Sequence, residues 1–490
     1  MDTTAAAKLH LVFLPSPGAG HIFPMVELAN QLLNRYPTLS VTVCIMKMPF
    51  KSQSFDFTSY HSHTDRIKFI DLHSPTVDPN TPPAKAFSYF LEGHAPQIKE
   101  ILSEQVAASH ESPSAPRIAG VVLDMFCTSF MADAKDLGVP SYVFYTCGAT
   151  FLGMMFQLQA LYDEGLYDPV NMKDSETELL EIPSLKTPLP GKLLPSAVVQ
   201  PDWLPALMEH TRRIRADAKG ILVNTFEDFE SYAIASLNTG QSQTPPAYPV
   251  GPIMDLKVKG GESTAAEHSV GPIMEWLDQQ PESSVVFLCF GSMGSFDEEQ
   301  IQEIAVALEK SGLRFLWSLR RPPPKSGTGV KFPTDYEDVT EGLPEGFVER
   351  TKGVGKVIGW APQTMILAHP STGGFVSHCG WNSTLESTWF GVPVATWPMH
   401  AEQQLNAVLL VRELELAEEI RMSYRKESGE VVKAEEIEKG MMRLMSEESG
   451  GERRKKVKEM SEKSRKTIVN GGASYYAISR FVEDVSKNIE

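Results

Sequence analysis

LHLVFLPSPGAGHIFP, residues 9–24, is the stretch on which the fold reading turns. Leu9 to Leu14 is a short, nearly continuous apolar run, the pattern of a strand buried on both faces. Pro15, Pro17, Gly18 and Gly20 break that run. A helical pattern over 24–34 follows, opened by Pro24, whose missing N–H is tolerated at the start of a helix. Strand, small-residue turn and helix in that order make the first unit of a doubly wound parallel sheet.

Working outward, the unit recurs. Apolar runs at 41–46 (VTVCIM), 67–72 (IKFIDL), 119–124 (AGVVLD) and 141–146 (SYVFYT) alternate with helix-length segments. The rhythm breaks over 238–283, rich in Pro, Gly, Ser, Thr and Gln, which reads as a linker and lead-in. A second alternation then begins, with strands expected at 285–290, 313–319, 355–360, 373–378 and 393–398. Segment 321–346 reads as a long polar loop, 433–468 as charged helix, and 473–487 as a last amphipathic helix. The echo of VGPIMD (250–255) in VGPIME (270–275) is too brief for a repeat architecture. The expectation is an α/β protein of two Rossmann-like halves, 1–245 and 246–470, with a terminal helix over 471–490.

Length and composition agree with this. A chain of 490 residues, 42 % apolar and 22 % charged, suits two soluble globular domains. Acidic residues outnumber basic ones, 62 to 45, for a formal charge of −17, which disfavours nucleic acid or an anionic membrane as partner. Cys44, Cys127, Cys147, Cys289 and Cys379 are scattered, as reduced thiols are in a cytosolic protein. MDTTAAAK is no signal peptide, and no apolar stretch is long enough to span a bilayer, so a cytoplasmic protein is expected.

In sheets of this kind ligands gather at the carboxyl ends of the first and fourth strands, where the winding reverses. After the first strand stand Gly18, Gly20 and His21. The dinucleotide fingerprint is incomplete, because Phe23 fills the third glycine place and no carboxylate ends the second strand. Taken alone, His21 reads equally as a helix-capping or exposed residue. The fourth strand, however, ends in Asp124, itself more often a turn residue, and the topology brings the two to one crevice. A carboxylate on one ring nitrogen fixes the tautomer and leaves the other nitrogen to accept a proton, so the pair forms a reasonable general base.

The second half repeats the arrangement with Gly291-Ser292-Met293-Gly294-Ser295 after its first strand and His378-Cys379-Gly380-Trp381-Asn382-Ser383 after its fourth. Backbone N–H groups at a helix start favour anions. No Lys or Arg occurs from Trp360 to Gln403, so a diphosphate here would be held by amides, hydroxyls, Asn382 and His378. Ser383 and Glu386 also fit a plain capping box, and Glu386 fits a ribose contact equally well. No D-x-D, Walker A, H-E-x-x-H or zinc-type spacing occurs; His61 and His63 lie in a polar segment and read as solvated.

The run WAPQTMILAHPSTGGFVSHCGWNSTLESTWFGVPVATWPMHAEQ, 360–403, resembles the sugar-donor signature of plant family 1 UDP-glycosyltransferases. The likeness extends to PSPGAGH, VVLDMF (121–126), WLDQQPESSV (276–285) and FGS (290–292), so it covers nearly the whole chain. It implies the two-domain GT-B fold, with acceptor in the first half, UDP-sugar in the second, and the last helix crossing back. It further implies His21 as base and Asp124 as its partner. Trp360 would stack on uracil with Ala361 and Gln363 nearby, and Glu386 would accept the ribose hydroxyls. His378, Gly380, Asn382, Ser383 and Ser292 would hold the diphosphate. Trp381, Glu402 and Gln403 would contact the hexose, with Thr146 reaching it from the other domain. Glu402 stands where aspartate is frequent and His400 where tyrosine is frequent; Gln403 resembles the glucose-using members.

The resemblance implies a monomer that transfers a sugar, with a lean to glucose, from a UDP carrier to a small hydroxylated apolar acceptor, without metal or bound cofactor. The acceptor expected is a phenolic, flavonoid or terpenoid, with the lean towards the branch acting on phenolics, flavonoids and related alcohols. Another UDP-sugar, an N- or S-nucleophile, or a binding protein without turnover are the alternatives. The acceptor pocket is expected around Gly20, Phe87, Phe126, Phe151 and His400, with Phe90, Met154 and Phe156 nearby, although these apolar residues fit an ordinary core equally well. Because the leaving diphosphate is to be met by amides rather than a cation, turnover in excess chelator is expected to match the untreated rate. A strict metal requirement in that assay would overturn the leaving-group assignment.

Overall fold

The computed structural model describes residues 8–47, 65–78, 80–112, 115–239, 244–254, 264–324 and 332–489; His61 and His63 lie outside them. The first sheet contains β1 (Leu9–Leu14), β2 (Leu39–Met46), β3 (Ile67–Leu72), β4 (Arg117–Asp124) and β5 (Ser141–Tyr145). A small antiparallel pair follows, β6 (Leu179–Leu180) and β7 (Leu189–Pro190), and then β8 (Gly220–Val223) and β9 (Ala247–Pro249) rejoin the sheet. Its order is β3-β2-β1-β4-β5-β8-β9, parallel throughout. The second sheet comprises β10 (Val285–Cys289), β11 (Arg314–Ser318), β12 (Gly355–Ile358), β13 (Thr372–Ser377), β14 (Val394–Thr396) and β15 (Ala417–Glu419). Its order is β12-β11-β10-β13-β14-β15, again all parallel. In each half the first and fourth strands are neighbours, so the winding reverses there, as in the expected GT-B arrangement.

Besides the short pair β6 and β7, three strands of the parallel sheets escape a reading based on apolar runs. β8 is only four residues long, directly behind a charged helix. β9 carries Pro249 inside the stretch read as linker, and it forms the sheet's edge, where a missing N–H costs nothing. Its pairing with β8 places 247–249 in the first sheet, past the boundary expected at 245/246. β15 reads Ala-Glu-Glu, a charged edge strand with no apolar period.

Alternate residues of β1 serve opposite faces, as the two-residue period requires. Leu11 and Phe13 pack under the helix Ala19–Arg35, and Val12 and Leu14 join the core on the other side. The helix Ala473–Ser486, at the far end of the chain, packs into that first face through Ala477, Phe481 and Val485. Phe481 is fully buried, edge-on to Tyr142 at 5.1 Å and Tyr248 at 6.1 Å. Ser474 and Asn488 add hydrogen bonds to the carbonyls of Gly251 and Ala119, at 2.5 and 2.7 Å. Among the described residues no helix is long and apolar enough to cross a membrane.

The terminal helix is therefore part of the first lobe's core. Phe481→Ala is expected to destabilise that lobe by about 3–5 kcal/mol, read as a lower denaturant midpoint for its transition. A loss of only a few tenths would make the helix an appendage.

Candidate active site

Gly18, at φ 133°, turns the chain out of β1 into the helix Ala19–Arg35. That helix starts five residues before Pro24, so His21 sits in its first turn and Pro24 inside it, not at its head as expected. At the end of the adjacent β4, Asp124 is wholly buried. His21 Nδ1 lies 2.8 Å from Asp124 Oδ2, and Asp124 Oδ1 accepts the N–H of Phe126 at 3.0 Å. The aspartate thus holds the imidazole with Nδ1–H as donor and leaves Nε2 as the proton acceptor. Thr146 Oγ1, from the end of β5, stands 3.1 Å from the same Nδ1.

Burial alone would depress the basicity of His21, but Asp124, through its charge and hydrogen bond, and then Glu402 outweigh it, and the pKa lies above 6.5. Glu402 belongs to the second lobe, so this influence crosses the cleft. Burial pushes the Glu402 carboxyl upward, against opposing bonds from its surroundings, including Asn406 Nδ2 at 3.0 Å. Asn406 also donates to the Cys379 carbonyl at 2.9 Å, which steadies a residue held at φ 61°. Asn406 was not legible in the sequence, because its partners come together only in the folded lobe.

The aromatic candidates divide. Phe126 lies 5.4 Å from the His21 ring, Phe87 is edge-on to Phe126 at 5.8 Å, and Trp203 is 6.3 Å beyond Phe87. His210, bonded to Thr128 at 2.7 Å, meets the far side of Phe126 at 6.0 Å. Trp203 and His210 escaped the sequence reading, since Trp203 sits 116 residues from Phe87 and His210 sits 82 from Thr128. Phe90, Phe151, Met154 and Phe156 are buried in the core, Phe151 against Tyr145 at 6.3 Å.

In the second lobe Trp360 follows β12 with its ring 36 % exposed, an open platform beside buried Ala361. Gln363 Nε2 bonds both Ser383 Oγ at 2.9 Å and Glu386 Oε2 at 2.7 Å, so these three form one cluster. The capping-box reading of Ser383 and Glu386 does not hold, because the helix Trp381–Phe390 has Gly380 as its N-cap and Ser383 lies inside it. His378 is buried with Nδ1 unpartnered, which fits an incoming ligand atom. A Cβ on Gly291 or Gly380 would come within 2.5 or 2.6 Å of His378 Nε2, so both must be glycine. Burial, then the neighbouring His400, depresses the His378 pKa to about 3, so the ring is neutral.

Ser292 is exposed in the loop after β10. Behind that loop Lys426 Nζ donates to Ser295 Oγ at 2.9 Å, a cation lying outside the 360–403 run and missed for that reason. Gln403 Oε1 accepts the N–H groups of Met399 and His400 at 2.9 and 3.0 Å, which leaves its amide nitrogen for a ligand. Trp381 is buried with its indole N–H on the Asn224 carbonyl at 2.7 Å, so its side chain is committed to the first lobe. Asn382 Nδ2 reaches the Gly20 carbonyl at 3.1 Å, bringing the donor-side helix directly against the loop of the base.

The family model for UDP-glucoronosyl and UDP-glucosyl transferase matches residues 206–423. UDP-glycosyltransferase 71B2 of Arabidopsis thaliana is 47 % identical, over 98 % of this chain and 100 % of its own. UDP-glucose flavonoid 3-O-glucosyltransferase 6 of Fragaria ananassa is 49 % identical, over 97 % and 98 %. Among solved structures, a Siraitia grosvenorii transferase in complex with UDP superposes with a TM-score of 0.88 at 43 % identity, over 98 % of this chain and 100 % of that one. A Medicago truncatula protein complexed with UDP-glucose gives 0.83 at 39 % identity, over 98 % of each chain.

The His21–Asp124 bond has a direct spectroscopic consequence. In an NMR titration, the His21 ring, assigned by its loss in His21→Gln, is expected to change protonation above pH 6.5. In Asp124→Asn the raising influence of the carboxylate is gone, burial dominates, and the midpoint should fall below 6.5. An unmoved midpoint would dissociate Asp124 from the control of this ring.

Proposed function

The chain belongs to the UDP-glycosyltransferase family, and from that membership we propose that it moves glucose from UDP-glucose to a hydroxyl of a small phenolic, flavonoid or terpenoid acceptor. The reading rests above all on one observation: an imidazole held by a buried aspartate in one lobe lies beside Gly20, whose carbonyl accepts from Asn382 of the other lobe at 3.1 Å. A base on one side of a cleft and a neutral, amide-rich anion site on the other suit a displacement between them.

In this mechanism His21 Nε2 removes the acceptor's hydroxyl proton as its oxygen bonds to the anomeric carbon. The bond from that carbon to the diphosphate oxygen breaks, and UDP leaves with the electron pair. Attack opposite the leaving group turns an α-linked donor into a β-glucoside. Asp124 stabilises the imidazolium formed. The departing charge develops toward the first turn of the helix Trp381–Phe390, with Ser292, His378, Asn382 and Ser383 around it.

Trp360, open to solvent, suits stacking on uracil, and Glu386, drawn in by Gln363, suits the ribose hydroxyls. Glu402, Gln403 and Thr146 would face the hexose. The preference for glucose is supported by Gln403 and by relatives named as glucosyltransferases. Phe87 and Phe126, ranged beside His21, favour a flat, apolar acceptor ring.

The test is purified protein with UDP-glucose against phenolic, terpenoid and amine acceptors, products identified by mass and linkage. Wild type is expected to release UDP and form an O-β-glucoside, and His21→Ala to lose roughly two to four orders of magnitude in turnover while still binding UDP. Near-normal turnover in that variant would remove His21 as base. No UDP release from any acceptor would leave a binding protein, and a faster reaction with another UDP-sugar would correct the donor.

A further inference from the structure

Trp381 opens the donor-side helix, where an indole could have faced the sugar, yet its ring is 4 % exposed and turned into the other lobe. Its N–H bonds the Asn224 carbonyl at 2.7 Å. That carbonyl is itself held. Asn224 Oδ1 accepts from the Ile253 N–H at 2.7 Å, its Nδ2 donates to the Ile253 carbonyl at 3.0 Å, and its own N–H bonds the Tyr145 carbonyl at 3.0 Å. The acceptor of the indole is thus fixed to the end of β5 and to the segment after β9.

The far edge of the ring is equally confined. A Cβ on Gly148 would lie 2.6 Å from Trp381 Cη2, and Phe229 meets the ring at 5.9 Å. Gly148 caps the helix Ala149–Asp163, whose first two N–H groups are bound by the buried carboxylate of Glu230 at 2.8 Å each. It stands two residues from Thr146, which touches His21. The next donor-side residue, Asn382, reaches the Gly20 carbonyl at 3.1 Å. Pro24, four residues after Gly20, has no N–H to offer that carbonyl, which leaves it available to the other lobe.

Two consecutive residues therefore grip the two loops that flank the base. Resting on the transferase reading above, we propose that Trp381 is a positioning residue, whose indole pins the donor-side helix in register with the His21 and Thr146 loops. It acts through Asn224 and Gly148, not by touching the sugar. A displacement of about 1 Å between base and anomeric carbon is enough to cost up to a hundredfold in rate. Binding of UDP, which calls only on the second lobe, does not depend on the pin.

The experiment uses the full chain with UDP-glucose, reading kcat by UDP release and UDP affinity by calorimetry. Trp381→Phe keeps a ring and removes the N–H; the expected result is kcat lower by roughly tenfold or more with UDP affinity within about twofold. Wild-type kcat in this variant overturns the pin, as does a loss of UDP affinity that matches the loss of turnover, which would make Trp381 a donor contact. If Trp381→Phe does not yield folded protein, Gly148→Ala, which drives a methyl into the ring edge, is held to the same two outcomes. Absence of UDP release from the wild type removes the transferase reading, and the pin with it, whereas a normal Trp381→Phe removes the pin alone.

Discussion

A carboxylate sealed from water, Asp124, holds an imidazole that reaches the cleft, and the rest of the site is arranged around that 2.8 Å contact. The contact exists because β1 and β4 are neighbours, so the loop after one strand meets the last residue of the other. Both aspartate oxygens have donors, which keeps a buried anion from being an uncompensated cost. Burial argues against charging the histidine; Asp124 and Glu402 argue for it and prevail. An imidazole of raised basicity, held in one tautomer, follows from these opposed influences.

On the function proposed above, the second lobe meets a different problem, a dianion in a protein of net charge −17. Its solution is close approach rather than countercharge. Gly291 and Gly380 bring backbone against the His378 ring, and Cys379 holds a left-handed conformation between His378 and the helix that follows. The strain at Cys379 is offset by the bond its N–H donates to Ser377 Oγ and by the one its carbonyl accepts from Asn406. Ser295, in the loop after β10, is gripped from behind by Lys426. On that reading, neutral donors already held in place by the fold need little reorganisation as charge develops on the leaving group.

The lobes are also tied together. The last helix of the chain lies in the core of the first lobe, so the chain leaves that lobe, builds the second, and returns. Across the cleft the ties are finer: Trp381 to Asn224, Asn382 to Gly20, and Arg425 to the carbonyls of Lys192 and Leu194 at 3.1 and 2.8 Å. In these three the donors are in the second lobe and the acceptors are backbone oxygens of the first. Other ties run the opposite way, the N–H groups of Ser196 and Ala197 donating to Gln404 Oε1 and to the Ala401 carbonyl at 3.1 Å each.

Much of this was legible in the sequence. Apolar runs at 9–14, 119–124, 285–290 and 373–378, all but the second followed closely by glycine, pointed to two doubly wound sheets and named His21, Asp124, Ser292 and His378 as the residues at their switch points. Strand periodicity and glycine punctuation are local properties, so they survive in one dimension. What the sequence could not decide was pairing across long separations. Edge strands β9 and β15 lack an apolar signature, Asn406 and Lys426 gain meaning only from a neighbouring loop, and Trp381 meets Asn224 across 157 residues. Whether an indole faces a sugar or a distant carbonyl depends on which surfaces meet when two lobes close, and that is settled by packing in three dimensions.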